Sequence, residues 1–228
     1  MSFIIAIDGP AGTGKGTITK IIADKYGFTN IDTGAIYRCV TLEMINNKIK
    51  IDDNEKIRKL LNDIEIEEKD INGKLKIYLN GKDVTEQIRS KEVNQIVSQV
   101  SGIRQVRLAM ANFQRQLGLQ HEKSILEGRD IGSFVFPDAD VKIYLDATTE
   151  ERTLRRLKQN KELGIESSYE EIYQNIKMRD GNDKAKEIGA LKIAEDAIVI
   201  DTTELSINEV VEKVSKIIDE KLKGEHSW

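Results

Sequence analysis

The run Phe3-Ile4-Ile5-Ala6-Ile7, ended by Asp8 and followed by Gly9-Pro10-Ala11-Gly12-Thr13-Gly14-Lys15-Gly16-Thr17, constrains this chain more than any other feature. A continuous apolar, β-branched run suits a strand buried on both faces, as in a parallel sheet. The glycines then let the backbone wrap an anion with its N–H groups pointing inward. A helix opening near Lys15 adds partial positive charge at the same place. Strand, glycine-rich turn and helix form the setting of a phosphate-binding loop, and Gly9, Gly14 and Lys15 stand at its generic spacing. Lys15 is expected to reach the β- and γ-phosphates of a nucleoside triphosphate. The plain alternative, an ordinary strand-to-helix turn, leaves that spacing unaccounted for. The residue after Lys15 is Gly16, and the hydroxyl comes one place later, on Thr17. Direct ligation of Mg²⁺ by a loop hydroxyl is therefore not expected, and water can fill that position.

Downstream, the pattern predicts helices over 15–25 and 34–45 and a strand over 28–31. Residues 64–84 alternate apolar and polar and contain Asn72-Gly73 and Asn80-Gly81, both strong hairpin signals. They are expected to form a small antiparallel sheet inserted into a larger domain. Residues 90–117 read as helix, broken near Gly102. Residues 124–127, 141–146 and 197–201 read as further strands. Thr148-x-x-Glu151, Ser168-x-x-Glu171 and Ser206-x-x-Glu209 fit capping boxes at helix starts. After Ser206, an apolar stripe through Val210, Val214 and Ile218 runs at helical spacing. Residues 224–228 are expected to fray. Strands alternating with helices imply an α/β fold with a mostly parallel sheet.

Charge and cysteine content narrow the function classes. A net charge of −4 gives no basic face for a nucleic-acid polymer. The single cysteine, Cys39, excludes an internal disulfide and reads as a packing residue in a helical apolar stretch. The N-terminal apolar run is too short for a signal peptide, and nothing approaches the ~20 apolar residues of a membrane span. A soluble cytoplasmic protein with no membrane partner is expected. His121 and His226 lack ligand-spaced partners, so no protein-held metal site is expected.

Asp32-Thr33-Gly34-Ala35-Ile36-Tyr37-Arg38 follows the second strand, and Glu127-Gly128-Arg129-Asp130-Ile131-Gly132 follows the strand at 124–127. Ligands of open α/β sheets bind beyond the carboxyl ends of strands. Each segment brings an arginine suited to bidentate phosphate recognition. The alternative is two surface loops with incidental charges. Arg152, Arg155 and Arg156 recur three or four apart after the strand at 141–146 and are expected to share a helix face. On pattern alone they read as a solvated basic face paired with nearby glutamates. Glu127 reads equally as a carboxylate supporting Mg²⁺ through water or as a structural group.

The segment Gly9 to Thr17, the segment Thr33 to Arg38, residues 128–132 with Phe134-Val135-Phe136-Pro137-Asp138-Ala139, and Arg179-Asp180-x-x-Asp183 together resemble the bacterial cytidylate kinases. The resemblance runs nearly from end to end and includes the alternating insert. It implies a P-loop kinase domain over 1–228, with a five-stranded parallel sheet flanked by helices. It also implies an inserted nucleoside-monophosphate-binding β subdomain over 62–86 and a short helical lid over 148–168. The implied reaction moves the γ-phosphoryl of ATP to CMP or dCMP with Mg²⁺, in a chain expected to be monomeric.

By the same resemblance, Gly9, Pro10, Ala11, Gly12, Thr13, Gly14, Lys15, Gly16 and Thr17 cradle ATP, joined by Arg152 and Arg156 of the lid. Ser98, Arg107 and Asp130 surround the cytosine. Thr33, Arg38 and Arg129 serve the CMP side, and Arg179 and Asp183 lie near the ribose and reacting phosphates. Lys15, Arg129, Asp130, Arg179 and Asp183 form the expected catalytic set. The chain departs from the family at Lys186, where arginine is usual. It departs again at Gly189-Ala190-Leu191 in place of Ala-Pro-Leu, and at Thr33 in place of serine. Two rival readings stay open at this point. One is a kinase for another small acceptor such as AMP, UMP or shikimate. The other is a GTPase-like switch or ATP-binding regulatory module, and the lack of an Asn-Lys-x-Asp motif disfavours the switch.

Overall fold

A computed structural model describes residues 2–71, 74–162 and 164–225. Asn72-Gly73, residue 163 of the expected lid segment, and residues 226–228 of the expected frayed end lie outside the described residues, whereas residues 224 and 225, expected to fray, continue the last helix. The chain divides into two compact units: residues 1–31 with 115–228, and residues 32–114.

The first unit is built on strands β1 (Phe3–Asp8), β2 (Thr29–Asp32), β6 (Lys123–Gly128), β7 (Val141–Asp146) and β8 (Ile198–Asp201). They form one parallel sheet in the order β2-β6-β1-β7-β8. β1 is central and every one of its residues is buried, as its unbroken apolar run requires. Helices α1 (Lys15–Tyr26) and α8 (Ile207–Glu225) belong to this unit, with α6 (Thr149–Glu162) and α7 (Tyr169–Lys184). The core joins Ile5 and Ile7 of β1, Ile143 and Leu145 of β7, Ile18 and Ile22 of α1, and Val210, Val214 and Ile218 of α8. The apolar stripe after Ser206 is thus the buried face of α8.

Capping chemistry sets where the helices begin. Ser168 and Glu171 close a reciprocal capping box on α7. Ser206 and Glu209 exchange the same pair of bonds ahead of α8. At α6 only half of the expected box forms: Thr148 Oγ1 accepts from Glu151 N at 3.3 Å, while the Glu151 carboxylate turns to Arg155.

The second unit contains α2 (Thr33–Asn46), α3 (Asn54–Asp63), α4 (Lys91–Val100) and α5 (Arg104–Leu119), the last running across the unit boundary. It also holds the antiparallel sheet of β3 (Ile66–Ile71), β4 (Lys74–Leu79) and β5 (Lys82–Asp83). Asn80 and Gly81 have φ of 49° and 76° between β4 and β5, the left-handed pair a two-residue hairpin turn demands. α4 and α5 are separated at Gly102, as expected. Among the described residues, no helix is long and apolar enough to cross a membrane.

Candidate functional site

In a parallel sheet all strands end at one rim, so β1, β6 and β7 deliver their following loops to the same edge of the first unit. β1 delivers Gly9, with φ 148°. A Cβ there would stand 2.1 Å from the Leu145 carbonyl oxygen of β7, so only glycine can pass that close. Gly14, with φ 89°, is the N-cap of α1, and no side chain caps that helix. Gly14 has no side chain to offer the first N–H groups of α1, a setting that suits an anion.

Lys15 is buried, and its Nζ donates to the Gly9 and Pro10 carbonyls at 2.8 and 2.7 Å, with Thr13 Oγ1 at 3.4 Å. Burial pulls its pKa down and the charge of Arg129 adds to that, while Glu127, Asp8 and Asp183 oppose it. The loop thus holds a cation that gains from any anion arriving beside it. Gly16 faces Glu127: a Cβ at Gly16 would lie 2.9 Å from Glu127 Oε1. A side chain at Gly16 would have to push that carboxylate aside. Thr17 is exposed.

Beyond β6, Arg129 Nε donates to Asp183 Oδ2 at 3.0 Å, and Lys186 Nζ donates to Asp183 Oδ1 at 2.7 Å. Burial alone would push the Asp183 carboxyl up. Arg129, Lys186 and the nearby charge of Arg179 outweigh it and hold the group below the usual carboxylate range. Lys186 therefore does the work of a point charge on one carboxylate oxygen, a role that needs no planar fork. Asp130 is buried and follows Arg129 directly. Asp8, which the sequence did not single out, is buried at the end of β1 and accepts from Ile131 N and Gly132 N, each at 2.8 Å.

The α6 arginines do not act as one face; their partners send them to three different surroundings. Arg152 is buried, donating to Ala11 O at 3.1 Å, Ala147 O at 3.0 Å, Thr149 Oγ1 at 3.1 Å and Asp180 Oδ2 at 2.7 Å. It ties α6 and α7 to the phosphate loop. Arg155 donates to Glu151 and to Thr202 beyond β8. Arg156 is exposed and donates to Gln159 at 2.8 Å. Asp180 stands in the Arg179-Asp180-x-x-Asp183 motif, and its ion pair with Arg152 is what marks it. Its second oxygen, Oδ1, is buried and without a hydrogen-bond partner.

In the second unit, Asp32 Oδ1 accepts from Ala35 N at 3.0 Å and caps α2, which places Thr33 at the buried first position of the helix. One turn on, Arg38 Nη1 donates to Ile88 O at 3.1 Å and to Asn94 Oδ1 at 2.8 Å. Arg107 is buried with its guanidinium 5.0 Å from the centre of the Tyr37 ring. Ser98 Oγ is buried without a hydrogen-bond partner. Buried polar atoms are normally satisfied, and Ser98 Oγ is one of several among the described residues that are not. The first unit thus gathers Lys15, Arg129, Asp183 and Arg152 at one rim, and the second holds Thr33, Arg38, Ser98 and Arg107.

Among the described residues, no cluster of three or more His, Cys, Asp or Glu could hold a metal ion.

A family model described as cytidylate kinase matches residues 5–220. The chain is similar to a cytidylate kinase of Caldicellulosiruptor bescii, 46% identical over 97% of each chain. It is likewise similar to one of Fusobacterium nucleatum, 46% identical over 96% of this chain and 98% of the relative. Among solved structures, an uncharacterized protein from Eubacterium ventriosum superposes with a TM-score of 0.52 at 14% identity, covering 96% of this chain and 99% of that one. A gluconokinase from Sinorhizobium meliloti gives a TM-score of 0.50 at 11% identity, covering 99% and 96%. At such identities these two likenesses speak to the fold alone.

Proposed function

Because the chain belongs to the cytidylate kinase family, we propose that it transfers the γ-phosphoryl group of ATP to CMP and dCMP, giving ADP with CDP or dCDP. The observation that carries this reading is the family match over residues 5–220, joined to a glycine-built anion cradle at the uncapped start of α1.

Phosphoryl transfer asks little covalent chemistry of a protein. It asks for alignment, charge neutralisation and exclusion of water. Backbone N–H groups of residues 11–16 hold the β- and γ-phosphates, and Lys15 exchanges its carbonyl partners for phosphate oxygens. Arg152 steadies the cradle through the Ala11 carbonyl, and Arg156, exposed on α6, closes over the triphosphate as part of a lid over 148–168. Mg²⁺, when bound, supplies charge neutralisation on the phosphates. Thr17 and Glu127 would hold its water shell. The acceptor phosphate is already an anionic nucleophile, so no strong base is needed. Arg38 and Arg129 bind it, while Arg179 and Asp183 orient the ribose and the reacting groups.

Base choice follows from hydrogen-bond polarity. Cytosine presents an amino donor at C4 and an acceptor at N3, which suit the Asp130 carboxylate and the Arg107 guanidinium, with Ser98 assisting. Uracil reverses both groups, and sites built on buried hydrogen bonds reject such a mismatch by up to ~10⁴-fold. We propose a cytoplasmic monomer that needs no nucleic-acid polymer. The test is ADP release with ATP, Mg²⁺ and each nucleoside monophosphate in turn. CMP and dCMP should lead in kcat/KM. A higher value for AMP or GMP would overturn the base assignment, and hydrolysis independent of any acceptor would overturn the kinase reading.

A further inference from the structure

Lys142 is a buried cation near the start of β7 that the mechanism above does not use. Lysine is almost never fully buried unless it is paired. Here Nζ donates to both oxygens of Asp196, each at 2.8 Å, and to the Pro137 carbonyl. The stem lies against the stretch that follows Asp130: a Cβ at Gly132 would stand 3.2 Å from Lys142 Cγ and Cδ. Ala6 of β1, the register partner of Lys142, would be 3.5 Å from the same point. One side chain thus joins two segments far apart in sequence. The first, 129–137, leaves β6 with Arg129 at its head. The second, 185–197, leaves the end of α7 and enters β8 next to Asp196.

The same stretches of chain meet a second time at the rim. Arg129 Nε donates to Asp183 Oδ2 at 3.0 Å, and Asp183 lies in the last turn of α7. Lys186 Nζ and Leu191 N both return to Asp183, to Oδ1 at 2.7 Å and to the backbone carbonyl at 2.8 Å. Between them Gly189 takes a φ of 62°, and residues 185–197 contain no proline to stiffen the path.

We propose that Lys142 is a positioning residue for the acceptor side of the site: by clamping Pro137 and Asp196 from beneath Gly132, it fixes the two segments whose other meeting point is the Arg129–Asp183 pair. The inference rests on the reading of Arg129 and Asp183 as acceptor-side groups and deepens it. Lys142 touches no substrate. Its ammonium closes one end of a ring of contacts, and the arginine assigned to the acceptor phosphate stands at the other.

Two variants open the clamp from opposite ends. Lys142→Met keeps the stem beneath Gly132 and removes the ammonium. Asp196→Ala removes the carboxylate, from a side chain that is 66% exposed and so spares the packing. Each should lower kcat/KM for CMP by ~10–100-fold, the scale of a small misplacement of a binding group. KM for ATP should stay within ~3-fold, because the bonds of Lys15 and Arg152 to the cradle involve neither residue. Asp196→Glu keeps a carboxylate within reach and should restore kcat/KM for CMP to within ~5-fold of the parent. A merely structural tether would lower Tm yet leave kcat/KM for CMP unchanged well below it, and that result would overturn the proposal. Equal rises in KM for ATP and CMP would overturn it too. The pH profile is a separate readout. Burial pushes the Asp183 carboxyl up, and Arg129, Lys186 and Arg179 outweigh it, with Lys15 also within electrostatic reach. Opening the clamp lets Arg129 withdraw, so in Asp196→Ala the acid limb of kcat/KM for CMP should move to higher pH. An unmoved limb would overturn the proposal. Asp183→Asn, assayed alongside, separates the two claims. If it leaves kcat/KM for CMP intact, the acceptor-side reading fails and this inference with it. If it lowers that value and Asp196→Ala does not, only the Lys142 inference fails. Should Lys142→Met not fold, Asp196→Ala decides alone from the exposed end of the pair.

Discussion

Removing the Asp180 carboxylate isolates a buried charge next to the phosphate loop. The side chains of Arg152 and Asp180 are 4% and 14% exposed, with Nη2 and Oδ2 2.7 Å apart. That places the pair among buried ion pairs, where deleting one partner costs about 3–5 kcal/mol, and not among surface pairs worth about 0–1 kcal/mol. In Asp180→Ala the guanidinium keeps the Ala11 and Ala147 carbonyls and Thr149 Oγ1. The loss should therefore fall near the lower bound, about 3 kcal/mol. For a domain of this size that is a Tm decrease of about 6–12 °C. Arg152→Met strands the Asp180 carboxylate instead, and the double variant strands neither. A double-mutant cycle read by chemical denaturation should return a coupling of at least about 2 kcal/mol, with the double variant more stable than the sum of the singles implies. Because Arg152 also donates to Ala11 in the cradle, Arg152→Met should raise KM for ATP more than KM for CMP. A destabilisation below about 1 kcal/mol for Asp180→Ala, or a coupling near zero, would refute the claim that this pair ties α6 and α7 to the loop.

Lys15→Met should abolish phosphoryl transfer, with kcat lowered by at least ~10³-fold, while far-UV circular dichroism stays that of the parent; retained turnover removes the lysine from the mechanism. Asp183 owes its depressed pKa to cations that outweigh burial, so its stabilising charge is present above the ordinary carboxylate pKa and is lost as pH falls through the lowered value. Lys186→Met takes away one of those cations and should move the acid limb of kcat/KM for CMP to higher pH; an unmoved limb refutes the clamp. Cys39 is fully buried, with its thiol pushed up to about 12 by burial, then by the charges of Glu68 and Asp32. At pH 8 a thiolate fraction near ~10⁻⁴ should leave it unreactive to an aromatic disulfide reagent until denaturant is added, and rapid native-state labelling would contradict that packing.

What was legible in the sequence is what short-range physics writes into short stretches. An apolar, β-branched run must be buried, so β1 was readable from Phe3 to Ile7, one residue short of its end at Asp8. Asn80-Gly81 had to be a tight turn because both residues tolerate positive φ, and Ser168 and Ser206 announced their helices by reciprocal caps. α3 escaped because only Ile57 and Leu60 are buried in it, too few to make a period visible. The Thr148 box half failed because Glu151 lies one helical turn from Arg155 and a cation outbids a backbone N–H for a carboxylate. The acids and bases of the rim were named one by one, yet their pairings join residues far apart in the chain. Arg129 meets Asp183 across 54 positions, Arg152 meets Ala11 across 141, and Asp8 meets Gly132 across 124. No local pattern encodes such partners, because nothing in a residue's neighbours says which strand ends beside it. Only the strand order β6-β1-β7 does, by setting the ends of three distant segments side by side. That order explains why Asp8, a lone aspartate before a glycine at the end of β1, accepts from Ile131 N and Gly132 N just beyond β6.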